Sequence, residues 1–490
     1  MRDKLMIKNK IFLTSAAFVL GYSPLFAVTN EELMKRLEKL EAEVKDTKKQ
    51  NEELKTQIEA FKINVKNDMK SELGSLEDRI DGVETGVLLN KVNLGLGFRN
   101  RVDFYNGKRA DGTKFHSDNI WTTKFHLNMD SKITDDMKFN GRLAMYKYWA
   151  TNYNTGSSIN MSNIDAMQGR RPADSGLFVE RAYIDYLFSK NSFAPLTLTM
   201  GRQPSSDGPS HQFKENTVRK STYSALGFDG AADGLVLTAD LEKTTGMANA
   251  AVRVAYGKGY QQYSSTSYAD TTGGAKDTPF WALFLDGSVP GVDGSLLQLG
   301  YVKATNATGY TGGNNIGNVS MFGIMSEFTN IKDSGLDLFA HYGVSQTCSN
   351  GETVNVGGVN YGLMGSAAAG DLGQKKRGDA FWIGGRYALT WLGNGKIGYE
   401  YNRGSQNWFS ITYGSADLTN KLATRGDAHE VYYIHPVNRY AFFRLGGQFI
   451  KYKYANSGST LGSPVEIGSA GTGSLTKSLE NYYLLFNLLF

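Results

Sequence analysis

The sequence predicts an all-β transmembrane barrel of about 16 antiparallel strands, within a range of roughly 14 to 18, preceded by a signal peptide and an α-helical coiled-coil segment. Three observations carry that expectation. The last ten residues place a large apolar side chain at every second position, a two-residue period governs everything after residue 87, and the connectors alternate between tight and long.

In the terminal segment Tyr482, Leu484, Phe486, Leu488 and Phe490 share one face of a strand. A strand with that face and no polar tail closes a sheet against lipid. The segment resembles the closing strand of bacterial outer-membrane barrels, and the resemblance implies that these five residues form an assembly signal for the barrel-assembly machinery. At the other end Arg2, Lys4, Lys8 and Lys10 precede the apolar run Ile11–Leu20, and Pro24-Leu-Phe-Ala27 suits cleavage, so residues 1–27 read as a signal peptide. That run is too short to span a bilayer. Mean hydropathy is −0.36 and no later stretch approaches ~18 continuous apolar residues, which excludes transmembrane helices. With 56 Gly, 27 Tyr and 26 Phe against 9 Pro, the composition is one of strands and turns whose apolarity hides in alternation. Cys348 is the single cysteine, so no internal disulfide forms.

Residues 28–86 are a different material, charged and free of proline. Leu33, Leu37, Leu40, Val44, Thr47, Asn51, Leu54, Ile58, Phe61 and Val65 alternate steps of four and three, the seam of a coiled coil. A stutter through Met69 to Leu73 precedes Leu76, Ile80 and Val83. One helix cannot bury that stripe alone, so a homo-oligomer is expected, a trimer by analogy with porins. The segment would form a periplasmic stalk about 80 Å long, able to reach the cell wall.

The barrel is expected over residues 87–490. Val92, Leu94, Leu96, Phe98, Val102 and Phe104 share a dry face, while Asn93, Gly95, Gly97, Arg99, Arg101 and Asp103 share a wet one. The same texture recurs at 119–130, 137–149, 178–188, 196–203, 234–241, 249–257, 279–288, 296–304, 318–328, 335–346, 379–390, 395–402, 428–435, 440–453 and 481–490. Tight links such as Ser131–Asp135, Pro290–Gly294 and Leu392–Gly395 alternate with long ones at 150–177, 204–233, 258–278, 347–378, 403–427 and 454–480. Short turns on one side and long loops on the other are the habit of outer-membrane barrels.

Side chains cannot fill a barrel of this size, so a lumen is expected. The wet face carries Arg99, Arg101, Lys124, Lys138, Arg142, Arg181, Arg253, Arg386, Lys396 and Arg444 against Asp103, Asp130, Asp185, Asp337 and Glu400. That excess of bases predicts a mild preference for anions, unless the charges pair across strands and merely hold the wall. The third external loop, 204–233, has no clear strand of its own and carries Asp207, His211, Lys214, Glu215, Arg219 and Lys220. It is the candidate constriction, folded into the pore.

The runs Arg181-Ala-Tyr-Ile-Asp-Tyr186, Leu198-Thr-Met-Gly-Arg-Gln-Pro-Ser-Ser-Asp-Gly208 and Asp233-Gly-Leu235 resemble the signature of an uncharacterised porin-like outer-membrane family of Gram-negative bacteria. The layout of coiled coil and barrel is similar to that of phosphate-selective porins, in architecture alone. The resemblance implies the barrel and leaves the solute open.

The six His show no metal-ligand spacing, and no nucleophile elbow, P-loop or Cys-x-x-Cys-His appears, so neither catalysis nor a cofactor or metal is expected. The formal charge of +5 marks no nucleic-acid partner. The expected function is passive diffusion of small hydrophilic solutes or ions across the outer membrane. The alternatives are a structural tether or adhesin, with the stalk toward the cell wall, and a barrel sheath within a larger envelope complex.

Overall fold

Absence of proline and a wealth of Glu, Lys and Leu favour one long helix ahead of the barrel. In the computed structural model, which describes residues 30–89, 92–149, 175–204, 208–219, 223–261, 276–309, 312–412 and 417–490, the chain forms two compact units, Met1–Leu89 and Asn90–Phe490. The expected signal peptide lies outside the described residues. Helix α1 runs Asn30–Leu89, 60 residues, with Glu31 and Glu32 in its first turn, where carboxylates suit the helix dipole. Val44, Leu54, Ile58, Phe61 and Val65 of the expected seam all lie exposed, Phe61 at 69%. No helix of the described residues is long and apolar enough to cross a membrane, which says nothing of strands.

The second unit is a closed antiparallel barrel of 16 strands. They are β1 (Asn93–Arg109), β2 (Lys114–Thr134), β3 (Met137–Tyr148), β4 (Phe178–Leu187), β5 (Leu196–Pro204), β6 (Ala231–Asp240), β7 (Ala251–Tyr260) and β8 (Thr278–Gly287). The second half comprises β9 (Ser295–Gly309), β10 (Gly312–Phe328), β11 (Leu336–Ser349), β12 (Lys375–Leu389), β13 (Gly395–Gly404), β14 (Gly426–Pro436), β15 (Ala441–Tyr452) and β16 (Thr476–Leu489). Each strand pairs with its chain neighbour, and β16 pairs with β1 in the register Phe98↔Leu488 and Asp103↔Tyr483. Closure leaves no unpaired edge, which the membrane interior would not tolerate.

The register sends alternate residues to opposite sides. Arg99, Arg101, Asp103 and Tyr105 turn inward and are buried, while outward positions such as Trp121, Leu237, Leu283, Ile324, Leu445 and Leu484 are large, apolar and exposed. An exposed apolar belt of this kind belongs against hydrocarbon.

Two expectations about connectors change. β1 and β2 run on past the apolar band, pairing Asn106 with His116 and Lys108 with Lys114. There the ladder continues on backbone hydrogen bonds alone, without the alternation that marks a strand in sequence. Loop 350–374, expected as plain loop, holds a small separate sheet of Thr353–Val356, Val359–Gly362 and Gly365–Ser366.

Phe490 follows the last strand, with Phe490 N donating to Leu96 O at 3.0 Å and Leu96 N donating to Phe490 O at 2.7 Å. Its ring is 64% exposed, in line with the outward Tyr482, Leu484, Phe486 and Leu488. Replacing Phe490 with Asp puts a carboxylate at the seam's lipid face. The expected result is a several-fold fall in folded, heat-modifiable barrel, read by gel shift of membrane fractions; wild-type levels would reject a role for this residue in assembly.

Candidate functional site

The lumen is occupied by chain. After Pro204 the third loop leaves the wall between β5 and β6 and forms a short helix, α2 (His211–Glu215), whose five residues are all buried. Its contacts lie on the far side of the ring. Ser210 Oγ donates to Glu327 Oε1 of β10 at 2.6 Å, and Gln212 Nε2 donates to Glu327 Oε2 at 2.9 Å. The Phe213 ring stacks on Phe339 of β11, with centroids 5.8 Å apart, and Arg386 Nη1 of β12 donates to the Phe213 carbonyl at 2.8 Å. Lys396 Nζ of β13 donates to Asn216 Oδ1 at 2.8 Å.

A connected set of buried charges fastens the loop. Lys214 Nζ donates to Asp417 Oδ2 at 2.6 Å and to Glu430 Oε2 of β14 at 3.2 Å. Glu215 sits between Arg99 of β1 and Arg444 of β15. Arg101 holds Asp103 at 2.7 Å and also Asp417, while Lys421 bridges Glu400 and Glu430. Burying isolated ions is costly, so the alternation of signs is what makes the cluster tenable. The loop residues show its effect on acidity. Burial would raise the Glu215 carboxyl, but Arg99, Arg444 and Lys214 outweigh it and hold it down at about 2. Burial would likewise raise Asp417, yet Lys214 and Arg101 keep it well below the ordinary carboxylate range. Lys214 is pushed the other way: Asp417 and Glu430 overcome burial and raise its ammonium.

The seventh external loop, 405–425, completes the filling. A Cβ on Gly378 of β12 would lie 2.2 Å from the Asn407 carbonyl carbon and the Trp408 nitrogen, so glycine lets this loop lie flat on the wall. Trp408 is wholly buried and donates its indole N–H to Leu422 O at 2.9 Å. Arg425, also wholly buried, donates to the carbonyls of Trp408, Ala455 and Ser459, tying loop 7 to the eighth loop. A two-residue parallel pairing of Phe228–Asp229 with Ile411–Thr412 joins loops 3 and 7.

The residues picked out from sequence fall into three groups. Asp207 and Lys220 lie outside the described residues. Lys214, Glu215, Arg99, Arg101 and Arg444 gather in the buried cluster, while Arg386, half-buried, pairs with Asp337 and reaches loop 3 through the Phe213 carbonyl. Lys214, expected as a charge shaping the pore's field, is instead fully buried against two carboxylates, because Asp417 and Glu430 arrive from more than 200 residues away in sequence. His211 is buried beside Trp382, with ring centroids 5.4 Å apart, and its Nε2 lies 3.5 Å from Asp229 Oδ2, out of hydrogen-bond geometry. Burial lowers the His211 imidazole more than Asp229 raises it. Arg219 donates to Asn249 Oδ1 at 3.3 Å, at the β6–β7 turn. On the opposite wall Arg142 and Arg181 lie 3.1 and 3.8 Å from Glu180, Asp185 accepts from Asn140 and Thr199, and Arg253 pairs with Asp286.

Sequence reasoning missed Asp417, Lys421, Glu430 and Glu327 as members of the site. Glu327 and Glu430 occupy inward positions of β10 and β14 that the period marks, whereas nothing in the loop sequence points Asp417 inward. The runs at 181–186 and 233–235 and the described part of the third, 198–204, meet at the root of loop 3. Gly201 has φ +121° and its Cβ would lie 2.4 Å from Ala182 O, Arg202 pairs with Asp233 at 3.0 Å, and Gln203 Nε2 donates to Gly234 O at 2.9 Å. Among the described residues no group of three His, Cys, Asp or Glu is placed to hold a metal ion.

A closed barrel with an apolar outer belt and a loop seated in its lumen defines a porin-like transmembrane barrel. Residues 114–490 match the family described as "Protein of unknown function (DUF3373)", and the chain belongs to that family. No curated protein sequence matches. Among solved structures the chain is similar to Pseudomonas putida OprB, at 14% identity and TM-score 0.47, over 84% of this chain and 97% of that one. It is similar also to an anion-selective porin from Comamonas acidovorans, at 11% identity and TM-score 0.45, over 81% of this chain and 100% of that one. Salmonella typhi OmpF in complex with daunomycin follows at 10% identity and TM-score 0.45, over 81% and 98%.

Acid should release loop 3 in two stages. His211 is depressed on folding, so the stability of its neutral form is complete above about 6.5 and declines below it. Glu215 and Asp417 are depressed as well, so their contribution is complete above about 4.3 and is lost as pH falls toward 2. Tryptophan emission, taken as the difference between wild type and Trp382→Phe, should change in both windows; a flat profile from pH 7 to 3 would contradict this seating.

Proposed function

We propose that the protein is an outer-membrane channel for passive diffusion of small hydrophilic solutes or ions, narrowed by its third loop. The observation that supports this reading is the unequal burial of the lumen wall. Most inward residues of β11–β16 and β1, among them His341, Trp382, Glu400, Glu430, Arg444 and Arg101, are buried. Across the ring, inward Asn128, Asn140, Tyr183, Asp185, Thr199 and Thr238 remain partly exposed, a strip of amide, hydroxyl and carboxylate groups along β2–β6. Water and small polar solutes suit such a strip, which would run beside the plug rather than through the barrel's centre.

Selectivity should be weak. Arg99, Arg101, Arg386 and Arg444, four of the ten wall bases behind the expected anion preference, and Lys214 of loop 3 each lie against a carboxylate and project little field into the passage. On the opposite wall Arg142 and Arg181 beside Glu180 and Arg253 beside Asp286 are paired as well, so any anion preference is mild. Planar bilayers test the reading: small conductance steps with a reversal potential near zero are expected. Lys214→Met leaves Asp417 and Glu430 short of a cation, costs about 3–5 kcal/mol of seating, and should enlarge the steps. Folded protein that does not conduct would reject the channel and favour a tether.

The exposed seam of α1 further supports a homo-oligomer, which we propose to be a trimer with the stalk in the periplasm, near the cell wall. Cross-linking should trap oligomers of the intact protein and far fewer after deletion of residues 31–84. Monomers alone from the intact chain would remove the idea.

A further inference from the structure

One sector of the lumen departs from the rest. Toward the long-loop ends of β6–β10 the inward residues include Val236, Ala255, Ala282, Phe284, Val302 and Met321, an apolar patch on a wall whose short-turn end carries Arg253, Asp286, Gln298 and Glu327. In a water-filled pore such a face gains nothing. Here it bounds a cavity of about 580 Å³ on the long-loop side of the barrel, lined also by Phe228 of loop 3, by Phe409 and Ile411 of loop 7, and by Leu461 of loop 8. A volume of that order is typical of small-molecule sites.

The chemistry of the lining narrows the occupant. Several aromatic rings line the cavity: Tyr223 stacks on Phe284 with centroids 3.8 Å apart and planes 13° from parallel, and Phe228, Phe280 and Phe409 belong to the same lining. Flat rings are matched by flat rings. The charges at the cavity's margin are already paired, Arg202 with Asp233 and Lys258 with Asp277, so nothing there calls for an ionic ligand. Two hydroxyls of the lining, Ser410 Oγ and Thr308 Oγ1, are buried without a hydrogen-bond partner among the described residues, and Ser410 is only 5% exposed. Buried hydroxyls are rarely left unsatisfied.

We propose that this vestibule binds a neutral aromatic solute bearing one hydroxyl or carbonyl group, its ring among Phe280, Phe284 and Phe409 and its polar group at Ser410. The inference does not depend on the channel reading, because the apolar sector and the polar strip are different parts of the wall.

The test uses full-length protein in detergent micelles, equilibrium dialysis with 1-naphthol and naphthalene, and empty micelles as the partition control. Saturable binding of 1-naphthol above that control is expected. Ala282→Phe, which fills the cavity, should weaken it at least tenfold in protein that keeps its heat-modifiable shift. Ser410→Ala should weaken 1-naphthol by about threefold to tenfold, the worth of one hydrogen bond, and leave naphthalene unchanged. Uptake equal to that of empty micelles would overturn the proposal, as would equal effects of Ser410→Ala on both ligands. Planar-bilayer conductance is read separately, so a protein that binds 1-naphthol without conducting keeps the vestibule and loses the channel.

Discussion

Closing 16 strands into a ring satisfies every ladder hydrogen bond and leaves an interior wider than side chains from the wall can fill. That void is the constraint on which the rest of the architecture depends. The protein answers it with backbone. Loops 3 and 7 enter the lumen, and the wall they touch is cut back to receive them: a Cβ on Gly343 would lie 2.8 Å from the Trp408 ring, and Gly378 lies under the Asn407–Trp408 peptide. Loop residues far from the wall in sequence thus become its core, with Phe213, Leu226, Trp408 and Leu422 packing on Phe339 and Trp382.

Filling a lumen whose wall is polar forces charges into burial, and this couples the two loops. Lys214 belongs to loop 3 and Asp417 and Lys421 to loop 7, yet all three meet on Glu430 or on each other. Neither loop can leave without stranding an ion that the other was neutralising, an outcome far more costly than the loss of an exposed pair. Tyr483 and Asn481 of the closing strand donate to Glu430 and Asp103, so the seam that completes the barrel also supports the plug. Assembly of the sheet and seating of the loops are in this sense one event.

The barrel itself was legible in the sequence because lipid imposes a strict rule on one face of each strand. Val92 to Phe104 and Tyr482 to Phe490 obey it, and their neighbours in space could be guessed from chain order alone. Where the rule lapses the strands became invisible: Asn106, Lys108, Lys114 and His116 extend the first hairpin without an apolar partner among them. The inward direction of Arg101 was legible too, but its partner Asp417 was not, since 316 residues separate them and only the folded loop brings them together. Period tells which way a side chain points; it carries no information on what crosses the lumen to meet it.

The apolar sector left a trace that alternation should not leave. Phe280-Trp-Ala-Leu-Phe-Leu285 is apolar on both faces, as a strand between lipid and a dry cavity must be, whereas β13 keeps Lys396, Glu400 and Asn402 on its inward side. A strand of a water-filled pore has no reason to give up polarity on its inner face, because inward apolar groups gain nothing from water. The break in alternation marks the apolar lining of the cavity, and the loop 7 residue Ser410 that also lines it has a buried hydroxyl without a hydrogen-bond partner among the described residues.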